Sequence, residues 1–139
     1  MLELSSIAID PELAASGTWM EYMGGRFLVA RQGPAHADRL GTLFNENAEL
    51  IKSKTPEGNA KLLEIYQRAF ADTCLLNWEG VAEKGQELDY TPELGFKVLS
   101  DPRYQELASK LEQFSLMHSN YRKKVEDEVA QEVKSSADS

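Results

Sequence analysis

The stretch "TWMEYMGGRFLVAR", residues 18–31, decides the fold class of this chain, because it predicts a β-hairpin in a sequence that otherwise reads as helical. Two runs with strand-forming residues flank Gly24-Gly25. Both glycines can adopt a positive φ, which the tight turn of a hairpin requires. The sequence therefore predicts two antiparallel strands joined at these glycines.

The two faces of this hairpin differ in composition. Pairing around the glycines sets Tyr22 opposite Phe27 and Met20 opposite Val29, so one face is wholly apolar. The other face is mixed and carries Trp19, Glu21, Met23, Arg26, Leu28 and Ala30. We expect the apolar face to pack on the body of the protein and the mixed face to be at least partly free.

The rest of the chain has helical patterns. Asp or Thr precedes Pro at Asp10, Thr55, Thr91 and Asp101, and each pair offers an N-cap and a first-turn proline. Apolar spacing predicts a short turn at 10–17 and helices over about 34–54, 55–77, 91–99 and 101–133. The predicted fold is α+β and predominantly helical, with an N-terminal β-hairpin packed on about four helices and a long C-terminal helix. We expect one domain over residues 1–134 and a disordered polar tail at 135–139.

The composition argues against two classes of partner. The formal net charge is −8, which would repel nucleic acid, and an acidic run follows the densest basic segment, "YRKK" at 121–124. No stretch approaches the roughly 18 apolar residues of a membrane span, and the N-terminus does not resemble a signal peptide. A single cysteine permits no internal disulfide. We therefore expect a cytoplasmic protein with no nucleic-acid or membrane partner.

The acidic stretch "LLNWEGVAEKGQELDYTPE", residues 75–93, is the first place to look for a metal or catalytic site. An EF-hand loop needs oxygen ligands and a glycine at fixed positions, and no frame through 77–90 supplies them. The carboxylates Glu79, Glu83, Glu87 and Asp89 could form an acid/base pair, but their spacing selects no two of them. We expect this stretch to connect two helices.

The other reactive side chains give no stronger signal. His36 and His118 lie far apart in sequence and outside zinc-binding spacing, and His36 is expected to be exposed near a helix start. Cys74 belongs to an apolar helical stripe, where a buried, unreactive thiol is common. No glycine-rich phosphate loop or nucleophile motif is present. We predict no metal, no cofactor and no enzymatic activity.

Two longer segments resemble a known family. They are "SGTWMEYMGGRFLVARQGPAHADRL", 16–40, and "LLNWEGVAEKGQELDYTPELGFKVLSDPRYQEL", 75–107. In order and spacing they are similar to the tail assembly chaperones of long-tailed, non-contractile (lambda-like) bacteriophages and prophages, in the short, non-frameshifted form. The matching positions in the second segment are Trp78, Gly80, Gly85, Tyr90, Thr91, Glu93, Leu99, Asp101 and Pro102. The chain departs from the family at Pro34, where an Asn is usual, and this affects a helix start.

The resemblance implies a function in tail morphogenesis. Chaperones of this family bind and solubilise the tape measure protein, a long helical chain with apolar segments, and help to recruit tail tube subunits. They act in the cytoplasm of the bacterial host and are absent from the mature virion. In many relatives a frameshifted long form also exists. The polar end of this chain suits the terminus of the short form or a linker.

We expect two protein-binding surfaces. They comprise Trp19, Met23 and Leu28 on the free hairpin face, and Tyr121, Val125 and Val129 on a thin apolar stripe of the last helix. The helical stripe would contact a partner helix or another copy of the chain.

Two alternatives remain open from the sequence. One is a small structural head–tail connector or completion protein that is retained in the virion, which presence in purified particles would reveal. The other is a small hydrolase that uses carboxylates between Glu79 and Asp89, which substitution of those two residues would test.

Overall fold

The computed structural model describes residues 1–123 and has the α+β architecture that the sequence predicts. The helices are α1 (Pro11–Ser16), α2 (Pro34–Glu46), α3 (Ala48–Lys52), α4 (Pro56–Thr73), α5 (Pro92–Ser100) and α6 (Gln105–Leu116). The strands are β1 (Thr18–Tyr22), β2 (Gly25–Val29), β3 (Leu75–Glu79), β4 (Ala82–Glu83) and β5 (Gln86–Glu87). Single 3-10 turns occupy Leu4–Ile7, Pro102–Tyr104 and His118–Tyr121. Val125, Val129 and the tail at 135–139 lie outside the described residues.

Strands β1 and β2 form the predicted hairpin, but its turn lies one residue earlier than predicted. Tyr22 pairs with Gly25, so the two turn residues are Met23 and Gly24. Both have a positive φ, of 47° and 90° respectively. Two consecutive left-handed residues are typical of the type I′ turn, whose twist matches that of the strands it joins.

A close backbone contact explains this register. A Cβ at Gly25 would lie 3.1 Å from the carbonyl oxygen of Gly80, so a glycine is used inside the strand where β3 ends. Met20 therefore pairs with Phe27, and the predicted pairing of Tyr22 with Phe27 is wrong by two residues. Because the shift is even, the side chains within β1 and β2 keep the faces that were predicted for them.

Strand β3 is absent from the sequence prediction, which extends the preceding helix to about Asn77. Helix α4 instead ends at Thr73, and the chain continues as a strand antiparallel to β2, giving the sheet order β1-β2-β3. The run from Cys74 to Leu76 suits a buried strand as well as a helical stripe, and periodicity alone does not separate the two. Pairing with β2 supplies hydrogen bonds and burial that a longer helix would forgo.

The acidic stretch after β3 is a connector, but it has its own structure. Strands β4 and β5 form a small hairpin whose turn residues, Lys84 and Gly85, have φ values of 50° and 80°. Trp78 fastens this segment, because its indole N–H donates to the carbonyl oxygen of Leu88 at 2.7 Å. Its ring also packs edge-on against Tyr90 at a centroid distance of 5.1 Å. Trp78 therefore anchors the connector to the core.

The predicted helix starts are present. The side chains of Asp10, Thr55, Thr91 and Asp101 each accept a hydrogen bond from a backbone N–H two or three residues further along the chain. The helix predicted over 34–54 is divided at Asn47 into α2 and α3. Gly58 lets α4 approach α3 closely, since a Cβ there would collide with the carbonyl oxygen of Leu50.

The core lies between the sheet and the helices. Its larger cluster joins both layers and comprises Met20, Phe27, Val29, Phe70, Ala71, Cys74, Leu75, Trp78, Leu99 and Leu111. A smaller cluster, formed by Leu43, Ile65 and Ala69, joins α2 to α4. Each large apolar side chain that is fully buried contributes roughly 1.5–3 kcal/mol. The apolar hairpin face therefore packs on the helices, as predicted.

The predicted long helix from residue 101 is wrong in the part of the chain that is described. Helix α6 ends at Leu116, and Met117 is extended, with φ −84° and ψ 109°. This break turns the chain back, so that Tyr121 is fully buried and its hydroxyl donates to the carbonyl oxygen of Val29 at 2.9 Å. The Lys123 N–H then bonds the Ala8 carbonyl oxygen at 3.2 Å. Tyr121 is therefore a core residue that ties the segment after α6 to the sheet and does not contribute to an exposed stripe.

Candidate binding surfaces

The first surface is the outer sheet face, the side of the three-stranded sheet opposite the core. Its side chains form two cross-strand rows, namely Trp19, Leu28 and Asn77 in one and Glu21, Arg26 and Glu79 in the other. Trp19, Arg26 and Leu28 are half-buried, and the other three are exposed. Ala30, which was predicted on this face, is buried instead. It follows the end of β2, and its N–H donates to the carbonyl oxygen of Cys74 at 2.8 Å.

Arg26 organises the outer sheet face. Its guanidinium carbon lies 4.0 Å from the centroid of the Trp19 ring, and its Nη2 lies 2.6 Å from Oε2 of Glu79. The hydrogen bond with Glu79 is the main reason why the pKa of Arg26 is raised, and it lowers the pKa of Glu79 in turn. The charge of Glu21 raises the pKa of Arg26 further. The ring of Trp19 is thus covered by a cation that already has anionic partners.

Met23 stands at the tip of the hairpin, beside this face. Its side chain is 89% exposed, the largest exposure of any large apolar side chain after Met1 in the described part of the chain. The backbone at Met23 is left-handed, with φ 47°. Only a few per cent of non-glycine residues adopt that conformation, and asparagine is strongly favoured among them. Neither packing nor turn preference explains a methionine at this position.

The second surface is the α2–α4–α6 groove, a cavity of about 450 Å³ between these three helices. It is lined by Gln32, His36, Leu40, Leu63, Tyr66, Gln67, Phe70, Leu99, Gln105, Ala108, Ser109 and Glu112. Phe70 and Leu99 are buried and belong to the main core, whereas Leu63 and Tyr66 on α4 are 59% and 50% exposed. The groove therefore has an apolar floor and an apolar edge that solvent reaches.

One histidine and one glutamate line the groove. His36, which was predicted to be exposed, is only 9% exposed, because α2 turns it towards the groove. Burial lowers its pKa, and the nearby charge of Glu112 opposes that shift without reversing it. The imidazole is therefore neutral at neutral pH. Glu112 is exposed, and no Lys or Arg is present among the residues that line the groove.

A protein-family model, described as YdaY prophage protein, matches residues 33–132. The chain belongs to this family. The match begins at the residue before α2 and includes every groove residue except Gln32, whereas β1 and β2 precede it. Comparison with curated proteins found no match, and neither did comparison with solved structures. The YdaY family assignment indicates a prophage-derived protein.

The structure of this YdaY family chain brings together only part of the predicted binding residues. Trp19 and Leu28 are neighbours on the outer sheet face, and Met23 lies at the adjacent turn. Tyr121 is in the core, and Val125 and Val129 lie outside the described residues. The groove was not predicted, because its lining comes from helices that are distant in sequence. The sequence signal that could have indicated it is the apolar stripe of α4, which is broader than one packed face needs and includes Leu63 and Tyr66.

The acidic and thiol candidates differ in their surroundings. Glu79 is engaged by Arg26, and Glu83 and Glu87 are exposed on the small β4–β5 hairpin. Within residues 1–123, no three His, Cys, Asp or Glu side chains are grouped closely enough to hold a metal ion. Burial raises the pKa of Cys74 to about 11, so its thiol is protonated at neutral pH. None of the helices over the described range has the length and apolar character needed to cross a membrane.

Proposed function

We propose that this prophage protein is a tail assembly chaperone that binds and solubilises the tape measure protein and helps to recruit tail tube subunits. It acts in the cytoplasm of the bacterial host, has no enzymatic activity and is absent from the mature virion. The ordered sequence segments at 16–40 and 75–107 support this proposal, and the prophage family is compatible with it. A net charge of −8 suits a solubilising role, because coated complexes would repel one another.

The observation that carries the proposal is Met23. An exposed apolar side chain is held at a turn position where asparagine would fit the backbone better. Residues in unfavourable backbone conformations are concentrated at functional sites, and a flexible thioether side chain adapts to varied apolar partners. Met23 is therefore suited to touch apolar segments of a long helical chain, with Trp19 and Leu28 behind it as a more rigid part of the same surface.

The test is co-expression with the tape measure protein encoded in the same prophage, with soluble tape measure protein as the readout. We expect a clear rise in its solubility and co-purification of the two proteins. Met23→Asn should reduce both. Met117→Gln is the matched control, because Met117 is also exposed, at 53%, but lies at the end of α6.

Three outcomes would contradict the chaperone proposal or the role of Met23 in it. If neither this chain nor a frameshifted long form raises the solubility of the tape measure protein, the chaperone proposal is wrong. Detection of the chain as a stoichiometric component of purified particles would instead identify a structural connector or completion protein. Equal loss in the Met23 and Met117 variants would remove the hairpin tip from the contact surface.

A further inference from the structure

The α2–α4–α6 groove is left unused by the proposed function, although its composition is unusual for a solvent-exposed surface. Leu63 and Tyr66 are three residues apart on α4, and Gln67 and Phe70 continue the same helical face. That face descends from half-exposed side chains at the edge to buried Phe70 at the floor. A volume of about 450 Å³ lies within the range of sites that accommodate several side chains of a ligand.

The polar lining of the groove contains an acidic side chain but no Lys or Arg. Its uncharged polar side chains are Gln32, Gln67, Gln105 and Ser109. Glu112 is the one acidic side chain of the lining, and burial lowers the pKa of His36. Two cations on these helices form salt bridges with other acids: Arg39 on α2 pairs with Asp72, and Lys61 on α4 pairs with Glu64. The groove thus combines an apolar floor with a carboxylate that its own lining does not neutralise.

We propose that this groove binds an amphipathic helix from another protein, one that places apolar side chains between α4 and α6 and a Lys or Arg opposite Glu112. The proposal goes beyond the chaperone function, because it concerns a different surface and holds for whichever protein supplies the helix. Apolar residues at helical spacing would meet Leu63, Tyr66 and Phe70 along one line. The glutamine side chains would bond the polar flanks of the same helix.

Charge and geometry select this occupant over two others. An extended strand gains its affinity from backbone hydrogen bonds at a sheet edge, and the groove is walled by three helices whose backbone groups are paired within them. A second copy of the chain carries a net charge of −8, so long-range repulsion opposes its approach. A basic amphipathic helix satisfies both the apolar lining and the carboxylate.

The test uses a pair of synthetic peptides, each about 18 residues long so that a helix can form. Both have Leu at positions i, i+3, i+4 and i+7 in an Ala and Gln background. One has a central Lys beside the Leu ridge, and the other has Glu at that position. Binding is measured by fluorescence anisotropy, and the site is mapped by amide chemical-shift changes in the full chain. We expect the Lys peptide to bind more tightly and to shift resonances of α2, α4 and α6.

Matched variants assign the two contributions. Leu63→Ser should weaken binding of the Lys peptide by about ten-fold, because it removes an apolar contact of the peptide and places a hydroxyl there. Leu50→Ser is its control, since Leu50 is exposed on α3 and does not line the groove. Glu112→Gln should weaken binding of the Lys peptide by about two- to five-fold, the effect of an exposed charge pair, and should abolish the preference over the Glu peptide. Glu106→Gln on the same helix is its control.

Four outcomes would overturn the inference. They are no binding of either peptide, equal binding of the two, chemical-shift changes confined to the hairpin, and self-association of the chain alone that Leu63→Ser abolishes. The last outcome would identify a second copy as the occupant. None of these results depends on the tape measure protein, so failure of the groove and failure of the chaperone function remain distinguishable.

Discussion

The outer sheet face and the α2–α4–α6 groove both present apolar side chains to solvent, but they differ in what surrounds those side chains. On the sheet, the ring of Trp19 is covered by Arg26, and Arg26 is paired with Glu79. In the groove, the ring of Tyr66 packs edge-on against Phe44 at a centroid distance of 5.8 Å, but Leu63 and Tyr66 remain 59% and 50% exposed. The nearby carboxylate of Glu112 has no cation in the lining. The exposed fractions differ as well, since Trp19 and Leu28 are half-buried whereas Leu63 and Tyr66 are exposed.

The difference teaches that partial exposure of an apolar residue does not by itself mark a binding surface. A tryptophan whose face is occupied by a paired guanidinium has much of its interaction capacity satisfied within the chain. We therefore expect the sheet to contact a partner mainly through Met23 at the hairpin tip, whose side chain is 89% exposed. The groove retains exposed apolar surface at Leu63 and Tyr66 and a carboxylate, Glu112, with no cation in the lining. This combination favours a more specific occupant.

The largest expected effect on stability comes from removing Trp78, which packs beneath the sheet in the core. Trp78→Ala should lower the free energy of unfolding by about 3–5 kcal/mol, because it empties a buried volume between Phe27 and Tyr90 and removes the bond to Leu88. Phe70 and Leu99 belong both to the same core cluster and to the groove floor. We therefore expect one cooperative transition in urea, followed by both fluorescence and far-UV circular dichroism.

Trp19→Ala is the matched control, since the chain has two tryptophans and this one lies on the outer sheet face. Its loss of stability should be clearly smaller. Equal losses for the two variants would show that the outer sheet face is packed as tightly as the core. Two separate transitions would show that the sheet and the groove unfold independently, and the comparison would then concern two separate units.

The turn residue Met23 should show an effect of the opposite sign. Met23→Asn should raise the free energy of unfolding by roughly 0.5 kcal/mol, because Asn-Gly is the preferred pair for a type I′ turn and a side chain that is 89% exposed loses little packing. The measurement is the urea midpoint of the variant against the parent chain. A stabilised variant that binds its partner less well would separate function from folding at this residue.

Lys84 offers the matched control, because it has φ 50° and precedes Gly85 in the turn of the β4–β5 hairpin. Lys84→Asn should leave stability unchanged or slightly raised, without any change in the solubility of the tape measure protein. If Met23→Asn lowers stability instead, the methionine side chain has a packing role within the chain, and its conformation needs no functional explanation.

Much of the fold follows from local signals in the sequence. N-caps followed by proline predicted helix starts at Asp10, Thr55 and Thr91, because capping depends on neighbours within three residues. The even periodicity of the hairpin placed each of its strand residues on the correct face. The register was wrong, since it depends on the contact between Gly25 and Gly80, which are distant in sequence.

The remaining errors have the same physical origin. Leu75 to Glu79 pairs with β2 across more than forty residues of chain, and no local pattern reveals such a partner. Tyr121 fits a helical stripe, but its hydroxyl bond to Val29 requires the helix to end at Leu116. The hairpin part of the candidate site was accessible from alternation within one segment. The groove was not, because its lining depends on how α2, α4 and α6 pack together.

The smallest expected effect concerns pH and the groove residue His36. In the folded chain, burial holds the pKa of His36 below its ordinary value, whereas the unfolded chain protonates it at that ordinary value. The unfolded state therefore binds more protons in the interval between the two, and stability is lost as pH falls through that interval. The carboxyl groups of Glu79 and Asp101, whose pKa values are lowered, titrate below this range.

The measurement is the difference in urea midpoint between about pH 7.5 and about pH 5.5, the range in which histidine changes its charge. We expect the parent chain to be less stable at the lower pH and His36→Gln to show a smaller difference. His118→Gln is the matched control, because His118 is the other histidine of the chain and is exposed, and it should keep the parental difference. If His36→Gln keeps the full difference as well, the acid sensitivity arises elsewhere.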